Sequence, residues 1–201
     1  MQGIGNIITN INNNNMEKYY FDEQQPKVQL SNHKALVLLN EEAQTVQHGE
    51  MEGIEPTETT QYAYDALWLP NCEREADVLP SARAYMTGLI TSYDTSDKVN
   101  GFRLNGKTVW LDKATRVGLM NSTSIAKAEG NESVTLWLDG TSYDVSCDKA
   151  ISLLSDVEMY ALKCYNVTAA HKAAVTELTE LEDVLNYDYK AGYPERLNVE
   201  V

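Results

Sequence analysis

The run Asp148–Asn186, DKAISLLSDVEMYALKCYNVTAAHKAAVTELTELEDVLN, decides how this chain is read. Leu153, Val157, Tyr160, Cys164, Val167, His171, Ala174, Leu178, Leu181 and Leu185 recur in alternating steps of four and three. Such heptad spacing keeps one seam of a helix turned toward a single partner surface. Ile151, Leu154, Ala161, Ala170 and Val175 flank the seam and widen it to the stripe of a core-facing helix. Thr179-x-x-Glu182 has the form of a capping box, so one break is expected, with a short helix beyond it. Two occupants suit the stripe: a helix of another chain in a coiled coil, or a sheet supplied by this chain.

The residues upstream supply such a sheet. Phe102 to Leu104 and Lys107 to Leu111 flank Asn105-Gly106, a strong two-residue hairpin signal. Asp112 caps a helix from Lys113 to about Glu129, which Gly130-Asn131 stops. Val134 to Leu138 and Thr141 to Val145 then flank Asp139-Gly140, and Asp148 opens the long run. Leu104-Asn105-Gly106 matches Leu138-Asp139-Gly140, and Asp112-Lys113-Ala114 matches Asp148-Lys149-Ala150, about 35 residues apart. The expectation is two ββα units in tandem, with the long C-terminal helix packed on a small antiparallel sheet. Within it Phe102, Trp110 and Trp137 are expected to form a structural core with Leu153, Val157, Tyr160, Cys164, Val167, His171 and Leu178, since tryptophan is usually largely buried.

Farther upstream, Leu79 to Tyr93 reads as a helix, with Pro80 in its first turn and Ala82, Tyr85, Met86, Leu89 and Ile90 on one face. Met16 to Pro70 reads as extended. Val28 and Leu30 alternate, Ala35 to Leu39 is continuously apolar, and Tyr62 to Leu69 is strand-like, with Trp68 expected to pin the region down. Glu41 to Thr60, acidic and polar with Gly49, Gly53 and Pro56, suits a loop or irregular hairpin. Ile4, Ile7, Ile8 and Ile11 sit at helical spacing ahead of the run Asn12 to Asn15. Two readings suit them: an arm that docks on a neighbouring subunit, or an extension upstream of a start at Met16. The fold class expected is therefore α+β. Residues 1–15 form an N-terminal arm, 16–70 an extended or small β region, 71–100 a connecting helix, and 101–201 the tandem ββα domain with a C-terminal tail.

Composition narrows the function classes. The formal net charge is −14 and no Lys/Arg cluster relieves it, which disfavours nucleic acid and anionic membranes as partners. Cys72, Cys147 and Cys164 show no C-x-x-C spacing, which disfavours a zinc site or disulfide framework and fits synthesis in a reducing cytoplasm. No signal-peptide pattern or membrane-length apolar run is visible, so the sequons at Asn121, Asn131 and Asn166 read as chance matches. His171 lacks a second ligand at helical spacing, so a hydrogen-bonded histidine is expected there rather than a metal. Glu73, Glu75 and Asp77, and likewise Glu180, Glu182 and Asp183, read as solvated or helix-capping charge. No P-loop, nucleophile elbow, zinc-protease motif or complete dinucleotide fingerprint occurs. No cofactor and no catalytic residue is expected.

One resemblance adds to this reading. Leu104-Asn105-Gly106, Val109-Trp110-Leu111-Asp112-Lys113-Ala114-Thr115-Arg116, Leu136-Trp137-Leu138-Asp139-Gly140, Cys164-Tyr165-Asn166-Val167-Thr168, His171-Lys172-Ala173-Ala174-Val175, Tyr187-Asp188-Tyr189 and Gly192-Tyr193-Pro194 stand in succession. This succession resembles an uncharacterised C-terminal domain of tailed-bacteriophage structural proteins related to tail-fibre assembly proteins. Tyr64 to Pro70, followed by the helix from Ser81 to Tyr93, is similar to the middle of such proteins. The resemblance implies a non-enzymatic virion structural protein of the tail, a fibre or a capsid-attached appendage such as a head fibre. Such a protein would be made in the host cytoplasm and carried in the virion. It would contact other phage structural proteins as an oligomer or part of a larger assembly. Ile4, Ile7, Ile8 and Ile11 and the tail residues Tyr187, Tyr189 and Tyr193 are the expected interface. A tail-fibre assembly chaperone is the alternative, and a glycan or cell-wall hydrolase the weaker third.

Overall fold

The computed structural model describes residues 16–48 and 57–200. Ile4, Ile7, Ile8 and Ile11 lie outside the described residues. The fold is α+β, with antiparallel sheets and a 31-residue helix near the C-terminus. It divides into two compact units, Met1–Thr87 with Val175–Tyr187 and Gly88–Ala174 with Asp188–Val201. Each unit joins two separated stretches, so the linear boundaries at residues 70 and 100 do not delimit them.

In the first unit, β1 (Glu17–Phe21), β2 (Val28–Ser31), β3 (Lys34–His48) and β4 (Thr57–Pro70) form one antiparallel sheet in the order β1-β4-β3-β2. Its centre is buried on both faces: every residue from Ala35 to Leu39 is inside, as are Ala63, Tyr64, Ala66, Leu67 and Leu69 opposite. That double burial explains the continuous apolar run, which shows no alternation. Since β1 and β2 occupy opposite edges, the segment between them must cross the sheet. There the Gln25 N–H donates to the Tyr64 hydroxyl at 3.0 Å, and that hydroxyl donates to Glu41 at 2.8 Å. Burial raises the Tyr64 pKa.

One open reading is decided here and two expectations need correction. Of the two readings of the polar stretch from Glu41, the irregular hairpin is the one the structure shows: β3 runs on to His48, and β4 has begun by Thr57. Past an irregularity between Leu39 and Glu42, polar partners pair across the strands, with Gln44 donating to Gln61 at 3.2 Å and Gln47 to Glu58 at 3.1 Å. A ribbon wet on both faces has no hydrophobic alternation to betray it. Trp68 does not pin the sheet; it is 45% exposed. The capping box at Thr179 does not form either. The five-residue helix Leu181–Leu185 starts from Glu180, whose side chain makes no cap bond. At the break, the Arg83 guanidinium takes up the Leu178 carbonyl from Nε at 3.0 Å and Nη2 at 2.5 Å, satisfying an acceptor the interrupted helix leaves open.

The second unit takes in the end of α1 (Val78–Asp94), then α2 (Asp97–Asn100), β5 (Phe102–Leu104), β6 (Lys107–Val109), α3 (Lys113–Ala128), β7 (Ser133–Leu138), β8 (Thr141–Ser146), most of α4 (Cys147–Glu177) and β9 (Asn198–Val199). The short helix Leu181–Leu185 of the first unit is α5. Both hairpins turn as their dipeptides dictate. Asn105 and Gly106 have φ of 49° and 80°, and Asp139 and Gly140 have 48° and 72°. These left-handed pairs match the twist of the flanking strands. The Asp112 carboxylate accepts the Thr115 N–H at 2.8 Å, which caps α3 and lowers the Asp112 pKa.

The two hairpins do not merge into one sheet. β5 and β6 are joined by β9, which pairs parallel to β5, while β7 and β8 stand as a separate two-stranded ribbon. They share a core instead. Phe102, Leu104, Val109 and Leu111 from the first hairpin meet Leu136, Leu138 and Val145 from the second and Ala150, Leu153, Leu154 and Val157 from α4. Burying such side chains contributes about 1.5–3 kcal/mol apiece.

Candidate interaction surfaces

Strand parity decides where the tryptophans go. Along β7, Leu136 and Leu138 are buried, so Trp137 between them faces outward and is 68% exposed. Ser142 pairs with it across the ribbon, and beside that pair the Thr135 hydroxyl donates to Asp144 at 2.5 Å. Val109 and Leu111 are likewise inside, which turns Trp110 out at 46% exposure. The expectation that Trp110 and Trp137 belong to the core is therefore corrected. Their alternation with aliphatic neighbours sets this register, and it outweighs the size of the indole. With Trp68, all three tryptophans of the chain stand at the surface.

The other expected core residues divide by position. Phe102, Leu153, Val157, Tyr160 and Cys164 are buried, whereas Val167, His171 and Leu178 are only partly so. Ala170, expected to flank the stripe, is exposed. The partners expected for the helix also change. Tyr160 packs with Val99 and Cys164, not with a tryptophan. Its hydroxyl donates to the Val99 carbonyl at 2.5 Å, and the Cys164 thiol donates to the same oxygen at 3.3 Å. Burial pushes the Tyr160 pKa up to about 12 and raises that of Cys164. A thiol held neutral in this way is a poor nucleophile.

The Tyr-bearing tail folds back on its own unit. Tyr189 is buried and meets Tyr93 edge-on with ring centroids 5.7 Å apart, which corrects its place in an expected interface. Tyr193 is half-buried, lies edge-on to Tyr93 at 5.5 Å and shares a 2.9 Å hydrogen bond with the Thr168 hydroxyl, which also donates to Asp94 at 2.8 Å. His171 Nε2 lies 2.9 Å from the Ala191 carbonyl, and its ring is 5.6 Å from that of Tyr193. Desolvation raises the pKa of both Tyr189 and Tyr193. The network ties down the tail. Tyr187 is half-buried.

An open groove of about 550 Å³ in the first unit is lined by Pro26, Lys27, Val28, Glu75, Glu180, Leu181, Glu182 and Asp183. Lys27 and Glu182 form an ion pair in it at 2.7 Å. Among the described residues, no group of three or more His, Cys, Asp or Glu side chains is placed to hold a metal ion, and no helix is long and apolar enough to cross a membrane.

No family model, curated protein or solved structure matches this chain.

The described residues carry a distinctive exposed apolar surface. Besides the tryptophans, Leu30, Val117, Ile125, Met159, Leu162 and Tyr165 are large apolar side chains left exposed. Single exposed aliphatics are ordinary, but exposed tryptophan is enriched where proteins bind proteins.

Proposed function

We propose that this chain is a non-enzymatic structural protein of a bacteriophage virion, belonging to the tail, a fibre or a capsid-attached appendage. The exposure of Trp68, Trp110 and Trp137 carries the proposal. A chain whose three indoles are all partly exposed keeps at its surface the side chains that most often become binding hot spots. The sequence resemblance to phage structural proteins supports the same reading, as does an acidic surface that keeps a part soluble until assembly.

Mass spectrometry of purified particles tests the proposal directly, and a stoichiometric copy number is expected. Absence from particles would overturn it. If fibre then aggregated whenever this chain was left out of co-expression, the chain would be a fibre-assembly chaperone. Turnover of bacterial glycan by the purified protein would overturn both readings, and the Lys27–Glu182 groove is the place to begin mutagenesis. Trp137→Ala should lower incorporation into particles while leaving the fold intact, because the indole is mostly solvated.

A further inference from the structure

The sheet of β6, β5 and β9 packs one side on the shared core and leaves the other to solvent. Phe102, Leu104 and Val109 point inward, with Leu197 and Val199 packed beside them. Arg103, Thr108 and Asn198, register partners across the three strands, point outward and are exposed. Trp110 continues the outer side of β6. Arg196, just ahead of β9, reaches across the sheet: Nη2 donates to the Asp97 carbonyl at 3.1 Å and Nη1 to the Thr108 hydroxyl at 3.4 Å. Gly101 leaves room for that carbonyl, which a Cβ there would strike. Both acceptors are neutral. Among the described residues neither Arg103 nor Arg196 makes an ion pair, and the exposed Glu195 and Glu200 pair with neither. The fold thus sets two guanidiniums, far apart in the sequence, on one face with their charge unmatched, in a chain of 30 acids and 16 bases.

The edge of the same sheet is also open. The Arg103 N–H donates to the Leu197 carbonyl, on the β9 side, at 2.8 Å. Antiparallel register partners exchange both backbone bonds or neither, so Thr108, opposite Arg103, turns its N–H and carbonyl away from β5. Among the described residues no strand lies beyond β6 to receive them. We propose that this edge and outer face form a docking site for an extended acidic segment of a partner protein. The segment adds to β6 as a further strand, through the Thr108 N–H and carbonyl. A glutamate opposite Thr108 then stands on the outer side, about 5 Å away, within reach of Arg196 and Arg103. The residue two along stands beside Trp110, where an apolar side chain covers the indole. Charge selects this occupant. Guanidiniums held by neutral acceptors gain a charge-assisted pair only from an anionic group. A polyanion such as nucleic acid is repelled by the net charge of −14, whereas a segment with one or two carboxylates meets mainly the two arginines. With three residues, β6 offers a short edge, so the contact is weak and reversible.

The proposal rests on the reading of Trp110 as a protein contact and not on the virion, because the isolated full chain tests it. Acidic-peptide binding by a chain absent from particles would break the virion reading alone. An array of random heptapeptides probed with the full chain should return binders rich in glutamate and aspartate. For the strongest of them, replacing each acid by its amide should weaken binding at least about tenfold. Arg103→Gln and Trp110→Ala should each do the same at an unchanged unfolding midpoint, since both side chains are exposed. N-methylation of alternate peptide amides keeps the side chains but blocks strand pairing on one edge. It should abolish binding in one phase and spare it in the other. No binding, binders without acidic enrichment, a variant that binds as tightly as the parent, or equal binding in both phases of methylation would each overturn the proposal. A dimer of the chain that Arg103→Gln dissolves would overturn it in favour of a second copy on this edge.

Discussion

The first ββα unit ends in α3, whose sixteen residues bury only Thr123, while the second ends in α4, which buries an unbroken stripe from Ala150 to Cys164. The two begin alike, each with a glycine-bearing hairpin turn and an aspartate near the helix start. The difference lies in the helices. In α3 the large apolar residues Val117, Leu119, Met120 and Ile125 point in different directions at about 100° per residue, so only Leu119 and Met120 reach the shared core. In α4 they recur every three or four residues on one side. A repeat with the same turns thus yields one helix that is core and another that is mostly solvated. The caps differ too, since Asp112 caps α3 whereas Asp148 lies in the first turn of α4 and Ser146 accepts the Lys149 N–H.

The largest effect that would break this contrast is cavity formation in α4. Leu154→Ala, at a side chain 1% exposed, should cost about 2–5 kcal/mol in denaturant unfolding. A loss as small as that of a surface site would mean that α4 does not carry the core. The turns come next. Gly106→Ala and Gly140→Ala both force a side chain into left-handed backbone, and each should cost about 1–2 kcal/mol. Similar losses are expected, because both hairpins feed one core; a large loss from only one would show that the hairpins are energetically separate.

Alkaline pH gives a graded effect in which Tyr160 of α4 has a large share. The Tyr160 phenol moves from an ordinary 10.0 to about 12 in the fold, so folding favours its neutral form. That contribution is complete below the unfolded pKa and is lost as pH rises from about 10 toward 12. Melting temperature should fall across this window, and Tyr160→Phe should flatten part of the decline. Tyr64, Tyr189, Tyr193 and Cys164, all raised in the same direction, keep the remainder. The smallest effect belongs to α3. Ile125→Ala, 59% exposed, should stay within about 0.5 kcal/mol, and a larger loss would place α3 in the core after all.

Much of this architecture was legible in the chain because local chemistry leaves few alternatives. Asn105-Gly106 and Asp139-Gly140 accept left-handed backbone, and Asp112 presents an acceptor to the N–H groups that open α3. The stripe through Leu153, Val157, Tyr160 and Cys164 had one geometry in which it could be buried together. The turn at Asn32-His33, with φ of 51° and 61°, contains no glycine to mark it in the sequence. Among candidate interface residues, the tail tyrosines suggested exposure by composition, yet Tyr189 is buried against Tyr93 across a long sequence separation.

The sequence by itself determined the α+β class, the two hairpin turns, the start of α3 and the buried side of α4, since each follows from the preferences of a few adjacent residues. Only the tertiary structure decided that the hairpins share a core without sharing a sheet, that β9 returns to pair with β5, and that Arg116 of α3 pairs with Glu158 of α4. These depend on contacts between residues far apart in the chain, whose pairing no local pattern encodes. The same packing leaves Met159, Leu162 and Tyr165 of α4 exposed.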